Sequence, residues 1–166
     1  MEIGPAKESD AAKLLLLYDA LDAETEFMFF EPGERQTSVE KIQSRIRGAV
    51  NSDAVAMYVA RDEGLVAGFS AGISNPGERN KHVANVVIGV RSSHWGQGVG
   101  RELLRAVEKW ARDNKKSKLE LTVMKKNSKA IGLYSSEGFG TEGTKLRAVK
   151  LKSGYQDELY MGKLLD

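Results

Sequence analysis

The stretch Val86-Val87-Ile88-Gly89-Val90, Arg91-Ser92-Ser93-His94, Trp95-Gly96-Gln97-Gly98-Val99-Gly100-Arg101 decides the fold. It reads as an apolar strand, a short connector and a glycine-rich loop that opens a helix. Glycine lets successive backbone N–H groups turn toward one point. The helix start adds unpaired N–H groups and a partial positive charge. Such an arrangement suits a phosphate or pyrophosphate. The same glycines also fit a plain strand-to-helix turn, so the loop alone leaves both readings open. Its spacing excludes two familiar phosphate loops. A dinucleotide fingerprint needs G-x-G-x-x-G, whereas here the glycines are 96, 98 and 100 and position 101 is Arg. A P-loop needs Gly-Lys-Ser/Thr after a four-residue gap, and no such run occurs.

Working upstream, Val83 to Val90 is nearly all apolar, as expected of a strand covered on both faces. Val55 to Ala60 and Leu65 to Ile73 read as strands, with a hairpin at Asp62-Glu63-Gly64. Asn75-Pro76-Gly77 is a turn. Ile3 opens a short first strand that Pro5 ends. Ser9 or Asp10 caps a helix to about Asp22, with Ala12, Leu15, Leu16 and Leu21 among its apolar positions. Glu24 to Arg35 is irregular. A second helix runs from about Ser38 to Val50, with Ile42, Ile46 and Val50 at intervals of four.

Downstream, Val99, Leu103, Val107, Trp110 and Ala111 predict a helix from about Gly98 to Asn114. Leu119, Leu121 and Val123 alternate with Glu120 and Thr122, which predicts a strand. Ala130, Ile131, Leu133 and Tyr134 share one side of a short helix that stops at Gly138. Phe139 to Lys150 and Tyr155 to Leu164 read as two last strands joined at Ser153-Gly154. The order is β-α-α-β-β-β-α-β-α-β-β. The central strand–helix–strand unit is a right-handed parallel crossover, and the other strands are hairpin-joined. This predicts one α/β domain over 1–166 with a mixed, mainly antiparallel sheet and about four helices.

The spacing Trp95-Gly96-Gln97-Gly98-Val99-Gly100 resembles the acyl-CoA loop of the GNAT superfamily of N-acetyltransferases, Gln/Arg-x-x-Gly-x-Gly/Ala. Leu121-x-Val123, Asn127-x-x-Ala130-x-x-Leu133-Tyr134 and Gly138-Phe139 resemble that family's second CoA motif, in the expected order and distance. The element order is similar too, so the resemblance covers nearly the whole chain. It implies a central parallel strand pair that splays apart, and acetyl-CoA as acyl donor. N–H groups of Gly96, Gln97, Gly98, Val99, Gly100 and Arg101 would hold the pyrophosphate. Ile88, Gly89 and Val90 would pair with the pantetheine amides like an added strand, and an N–H near Val90 would stabilise the oxyanion. Asn127 and Ala130 belong to the pantetheine side. Tyr134 would protonate the departing thiolate, since a phenol of pKa about 10 is protonated at neutral pH.

This sequence departs from the family pattern at three places. Trp95 stands at the usual Gln or Arg. Glu137 stands where many relatives carry a Lys near the phosphates. Many relatives place a basic Glu on the fourth strand, but the matching position in His82-Val83-Ala84-Asn85-Val86 is Ala84. Two options remain for the base: a distant carboxylate acting through water, or an amine that arrives neutral.

Composition fits this reading. The 166 residues are 41% apolar and 29% charged, which suits an ordinary globular domain and excludes a disordered chain. The absence of cysteine excludes a disulfide framework, a thiolate metal site and a cysteine nucleophile. His82 and His94 lack metal-site spacing, so no metal is expected. The apolar run Ala54 to Ala60 falls far short of the ~20 residues a spanning helix needs, and the start lacks a basic region followed by an apolar stretch. These features suit a cytoplasmic location with no membrane partner. The formal net charge is +2, and no aromatic-plus-basic stripe suggests a nucleic-acid partner. The first 100 residues carry net −4 and the rest net +6, which suits an anionic ligand in the second half.

The resemblance puts an amine acceptor beside the first two helices. Asp19, Asp22, Glu24, Glu26, Glu31, Glu34 and Glu40 face one base there, Arg35. The patch suits a cationic amine, and Phe29, Phe30 and Glu31 are candidate acceptor contacts. The alternative is ordinary surface charge with core phenylalanines. Gly154-Tyr155-x-Asp157-x-x-x-Met161 resembles the ending of ribosomal-protein alanine and small-amine acetyltransferases. A homodimer is compatible with the resemblance. Two other functions stay open: a catalytically weak CoA-binding sensor on the same fold, and a nucleotide-binding interaction module. The second leaves Asn127 and Tyr134 unexplained.

Overall fold

A computed structural model describes residues 1–166. Seven strands form one sheet in the order β1-β2-β3-β4-β5-β7-β6. They are β1 (Glu2–Pro5), β2 (Val55–Asp62), β3 (Leu65–Ser74), β4 (Val83–Val90), β5 (Lys118–Met124), β6 (Gly140–Leu151) and β7 (Gly154–Leu164). The helices are α1 (Ala11–Glu24), α2 (Val39–Ala49), α3 (Val99–Asp113) and α4 (Ser128–Ser136). Every strand pair is antiparallel except β4–β5, which the α3 crossover makes parallel. The expected order and mixed sheet are therefore found. No helix is long and apolar enough to cross a membrane.

Helix α3 covers one face. Leu104, Val107, Trp110 and Ala111 pack with Ala56, Ala84, Val86, Leu119, Leu121 and Met161. Small residues on β3 let the helix approach: a Cβ at Gly72 would lie 2.7 Å from the Trp110 ring. Between them Ser70 Oγ donates to the Leu103 carbonyl at 3.0 Å. Helices α1 and α2 cover the other face over β2 and β3, where Leu14, Leu17, Leu21, Ile42 and Ile46 meet Val59 and Phe69.

The parallel pair splays. Strand β4 runs to Val90 and β5 to Met124, yet they pair only from Val83–Lys118 to Asn85–Glu120. Beyond that a slot opens in mid-sheet.

Four expectations need correction. In α1 the buried face is Ala11, Leu14, Leu17, Tyr18 and Leu21; Ala12 is exposed and Leu16 is 69% exposed. Four consecutive leucines do not set a helical phase, so tertiary contacts chose it. Asp10 is the N-cap residue of that helix, as expected, but its side chain makes no capping hydrogen bond. Val50 follows the last residue of α2 and is exposed, and Val87 on β4 is 43% exposed because α1 and α2 do not extend over it.

The buried Asp10 carboxylate instead accepts from Arg61 Nη2 at 2.6 Å and Nε at 3.0 Å, and from the Lys7 N–H at 2.7 Å. Burial pushes its pKa up, but the Arg61 and Lys7 hydrogen bonds outweigh this and the net direction is down. The stability it contributes is present above the unfolded value of about 3.9 and is lost as pH falls through the lower folded value. Asp10→Asn should cost on the order of 3 kcal/mol at pH 7, because one partner of a buried pair is removed. Urea melts should show this difference at pH 7 and a smaller one at pH 3. An equal loss at both pH values would refute the ionic origin.

Candidate active site

The loop after β4 is built around two glycines in the left-handed region, Gly96 at φ 74° and Gly98 at φ 82°. Gly98 is the N-cap of α3. The first bond of the helix runs from the Glu102 N–H to the Gly98 carbonyl at 3.1 Å, which leaves the N–H groups of Gly96 to Arg101 without backbone partners. A Cβ at Gly96 or Gly98 would meet nothing within 4 Å. The loop therefore carries a run of free donors under open space. Gly100 differs: its Cβ would lie 3.1 Å from Leu133 of α4, so its smallness seats α4 against α3.

The slot edge follows from strand alternation. The Arg91 N–H donates to the Ala67 carbonyl. Alternate residues Gly89 and Val87 thus turn their peptide groups toward β3, and Val86, Ile88 and Val90 turn theirs toward β5, where Ile88 and Val90 lie beyond the last pair, Asn85–Glu120, and face the slot. Of the expected pantetheine partners, Ile88 and Val90 face the slot and Gly89 does not. Gly89 packs under α1 instead, where a Cβ would lie 2.6 Å from Leu21. Ile88, Ala130, Ile131 and Tyr134 gather on the border of the α3 core, so the two motifs meet in space.

Trp95 explains its departure from the family pattern. Its indole N–H donates to the Val90 carbonyl at 2.8 Å, and the Lys129 ammonium lies 4.8 Å from its ring centroid. This brings a cation of α4 to the loop, which sequence spacing did not indicate. The Gln97 side chain donates to the Ser93 carbonyl and stiffens the same turn. The Arg101 side chain turns to Glu137 at 2.8 Å, and Arg105 reaches the same carboxylate at 2.9 Å. Hydrogen bonding to Arg105 holds the Glu137 carboxyl below its usual range, with Arg101 assisting. Glu137 thus joins α4 to α3 through ion pairs.

The Asn127 side chain caps α4 by accepting from the Ala130 N–H at 3.2 Å. Its oxygen is therefore occupied and its amide N–H groups are the part left for a ligand. Tyr134 packs 5.9 Å from Phe139, centroid to centroid. Burial pushes its phenol up to about 12. Ala84 is fully buried beneath α3, so the position that lacks the family glutamate is a core position here.

The acidic segment after α1 is only partly free. Asp22 is buried and holds Arg35 through two bonds of 2.7 and 2.9 Å. Arg35 in turn lies 4.7 Å from the Phe30 ring centroid and 4.9 Å from that of Tyr18. Glu24 accepts from Arg91 and from the Ser92 N–H at 2.8 Å, which ties α1 to the connector after β4. A separation of 67 residues hides that tie from sequence reading. Phe29 is exposed, and the Glu31 N–H donates to the Glu34 carboxylate.

Fold and site together define a mixed α/β domain of the acyl-CoA-binding type. Residues 17–139 match the acetyltransferase (GNAT) family, and the chain belongs to it. An acetyltransferase of the GNAT family from Streptococcus pneumoniae is 27% identical, with a TM-score of 0.94 and 99% of each chain covered. A ribosomal-protein-alanine N-acetyltransferase from Brucella melitensis is also 27% identical, with a TM-score of 0.86 and coverage of 99% of this chain and 100% of that one. The L-amino acid N-acetyltransferase AaaT of Escherichia coli (strain K12) is 33% identical over 90 residues, 52% of this chain and 54% of its own length. Across the curated relatives, matched stretches cover from 22% to 54% of their lengths.

Proposed function

We propose that this protein transfers an acetyl group from acetyl-CoA to a primary amine by direct attack in a ternary complex. The slot carries this reading: β4 and β5 part beyond Asn85 and Glu120, and free N–H groups stand where β4 leads into α3. The N–H groups of Gly96 to Arg101 would hold the pyrophosphate, with Lys129 alongside. Ile88 and Val90 would pair with the pantetheine amides as an added strand. The carbonyl of Val90 already accepts from Trp95, so Val90 offers the arm its N–H alone. Acetyl-CoA supplies an activated carbonyl, and Tyr134 the proton for its leaving sulfur.

The acceptor class follows from chemistry and from the relatives. Asp19, Glu26, Glu31 and Glu40 leave a negative field near the acceptor side, which draws in a cation. One relative is named for L-amino acids and another for ribosomal-protein alanine. Acetyl-CoA-dependent thiol release should therefore be screened with L-amino acids and with peptides beginning in alanine. Turnover above background separates an enzyme from a CoA-binding sensor.

Direct transfer makes a kinetic prediction. The chain has no cysteine, so no thiol acyl-enzyme can form. Initial-rate lines at several acceptor concentrations should intersect. Parallel lines, or an acetylated protein trapped without acceptor, would refute the ternary complex.

A further inference from the structure

We propose that Glu158 receives the acceptor amine and takes a proton from its ammonium before attack. This rests on the acetyl-transfer reading above. Glu158 lies on β7 and pairs with Met124, the last residue of β5. Continuing the β4–β5 register from Asn85–Glu120 sets Met124 level with Gly89 across the slot, at its open end. Glu158 is thus one strand spacing, ~4.8 Å, behind the slot's rim.

Its face is the one a second substrate would use. Met161 and its partner Leu121 are buried against α3. Alternation therefore puts Met124, Glu158 and Tyr160 on the opposite face. Val87 and Ile73 share that face, since Ala84 and Val86 point to α3 and Ile73 pairs with Asn85. Val87, Ile73 and Tyr160 are exposed there and form an apolar shelf. The phosphate cradle opens α3, which packs on the other face. The two substrates would meet through the slot.

The carboxylate itself is the exception among buried acids. Asp10, Asp22 and Glu158 are the buried carboxylates. Asp10 and Asp22 each hold an arginine by two hydrogen bonds. Glu158 is 3% exposed, and its nearest cation is Lys145 Nζ at 4.0 Å, with no hydrogen bond between them. Its oxygens keep contact with solvent, since the fully buried side-chain atoms without a partner are Thr37 Oγ1 and Ser74 Oγ, so an incoming donor can reach a carboxylate that no hydrogen bond yet holds. An ammonium brings both the donors and the charge. The position also provides the base that Ala84 cannot.

The step balances. The ammonium gives one proton to the Glu158 carboxylate, and the neutral nitrogen attacks the thioester carbonyl carbon. The C–S bond breaks, the Tyr134 hydroxyl gives its proton to the sulfur, and the attacking nitrogen loses a second proton to solvent. Solvent reprotonates Tyr134, and Glu158 returns its proton to solvent. The products are one amide, one thiol and one net proton.

The test compares Glu158→Gln, Lys145→Met and the parent, using the amine that gives the fastest thiol release in the screen above. Calorimetry gives acetyl-CoA affinity, and thermal melts report folding. Glu158→Gln should lose about 10²-fold or more in turnover, while melting as the parent does and binding acetyl-CoA within about twofold. Lys145→Met should stay within about threefold of the parent. Parent-like turnover in Glu158→Gln overturns the role, as does an equal loss in both variants, which would make the carboxylate an ordinary ion-pair partner. If Glu158→Gln fails to fold, Glu158→Asp, which keeps the charge but draws it back by one methylene, takes its place: a loss of about tenfold or more in turnover with parent-like melting supports the role, and parent-like turnover overturns it. A parent that turns over no amine in the screen overturns acetyl transfer itself, and this role with it.

Discussion

Tyr134→Phe is expected to lower turnover by about 10²- to 10⁴-fold and to change acetyl-CoA affinity by less than about tenfold. The substitution keeps the ring against Phe139 and removes only the hydroxyl. Burial pushes that phenol up to about 12, so it stays protonated at every working pH. A thiol is far more acidic than this phenol, so a full transfer to a relaxed thiolate would run uphill. The hydroxyl therefore acts chiefly as a donor whose hydrogen bond strengthens as charge builds on sulfur, with transfer completed as reprotonation follows. The parent should then show no descending limb from this tyrosine below about pH 10. Turnover of Tyr134→Phe within about twofold of the parent, measured where chemistry limits the rate, would reject the role. A parent limb near pH 8–9 that Tyr134→Phe abolishes would instead reject the high-pKa phenol.

The elements with strong period were legible in the sequence. Val99, Leu103, Val107 and Trp110 define α3 without ambiguity, and all four are buried. Leu119, Leu121 and Val123 define β5 in the same way. The glycine spacing marked the loop because positive φ and free N–H groups are properties of the local chain. Where the local signal was degenerate, the reading failed. Leu14 to Leu17 offers an apolar residue at every phase, and the Asp10–Arg61 pair, 51 residues apart in the chain, helps anchor the start of α1. The same limit hid Glu24 on Ser92, Lys129 over Trp95 and the Trp95 bond to Val90. Glu158 was hidden for a different reason. Nothing local distinguishes it from Asp157, whose side chain accepts from the Arg147 N–H. Only the β5–β7 register turns one carboxylate to the open face.

Gly98→Val should weaken acetyl-CoA binding by about 10²-fold while leaving the protein folded. Gly98 sits at φ 82° and ψ −2° as the N-cap of α3. A branched residue there costs roughly 1–2 kcal/mol in backbone strain, more if the loop cannot relax. No atom lies within 4 Å of the new Cβ, so the unliganded fold accommodates that carbon with no clash beyond the backbone strain. The same open space lies over the free N–H groups of Gly96 to Arg101, where the pyrophosphate would sit. A valine there blocks approach, and each charge-assisted hydrogen bond lost removes about 1.5–3 kcal/mol. At 1.4 kcal/mol per tenfold, one or two such bonds account for the expected loss. Gly100→Ala is the internal comparison. Its Cβ would press on Leu133 at 3.1 Å, which perturbs how α4 seats more than it fills the cradle. Its melting temperature should fall with a smaller loss of affinity. Calorimetry that finds parent-like affinity in Gly98→Val, together with a lowered melting temperature, would assign the glycine to the turn alone and remove the phosphate from this loop.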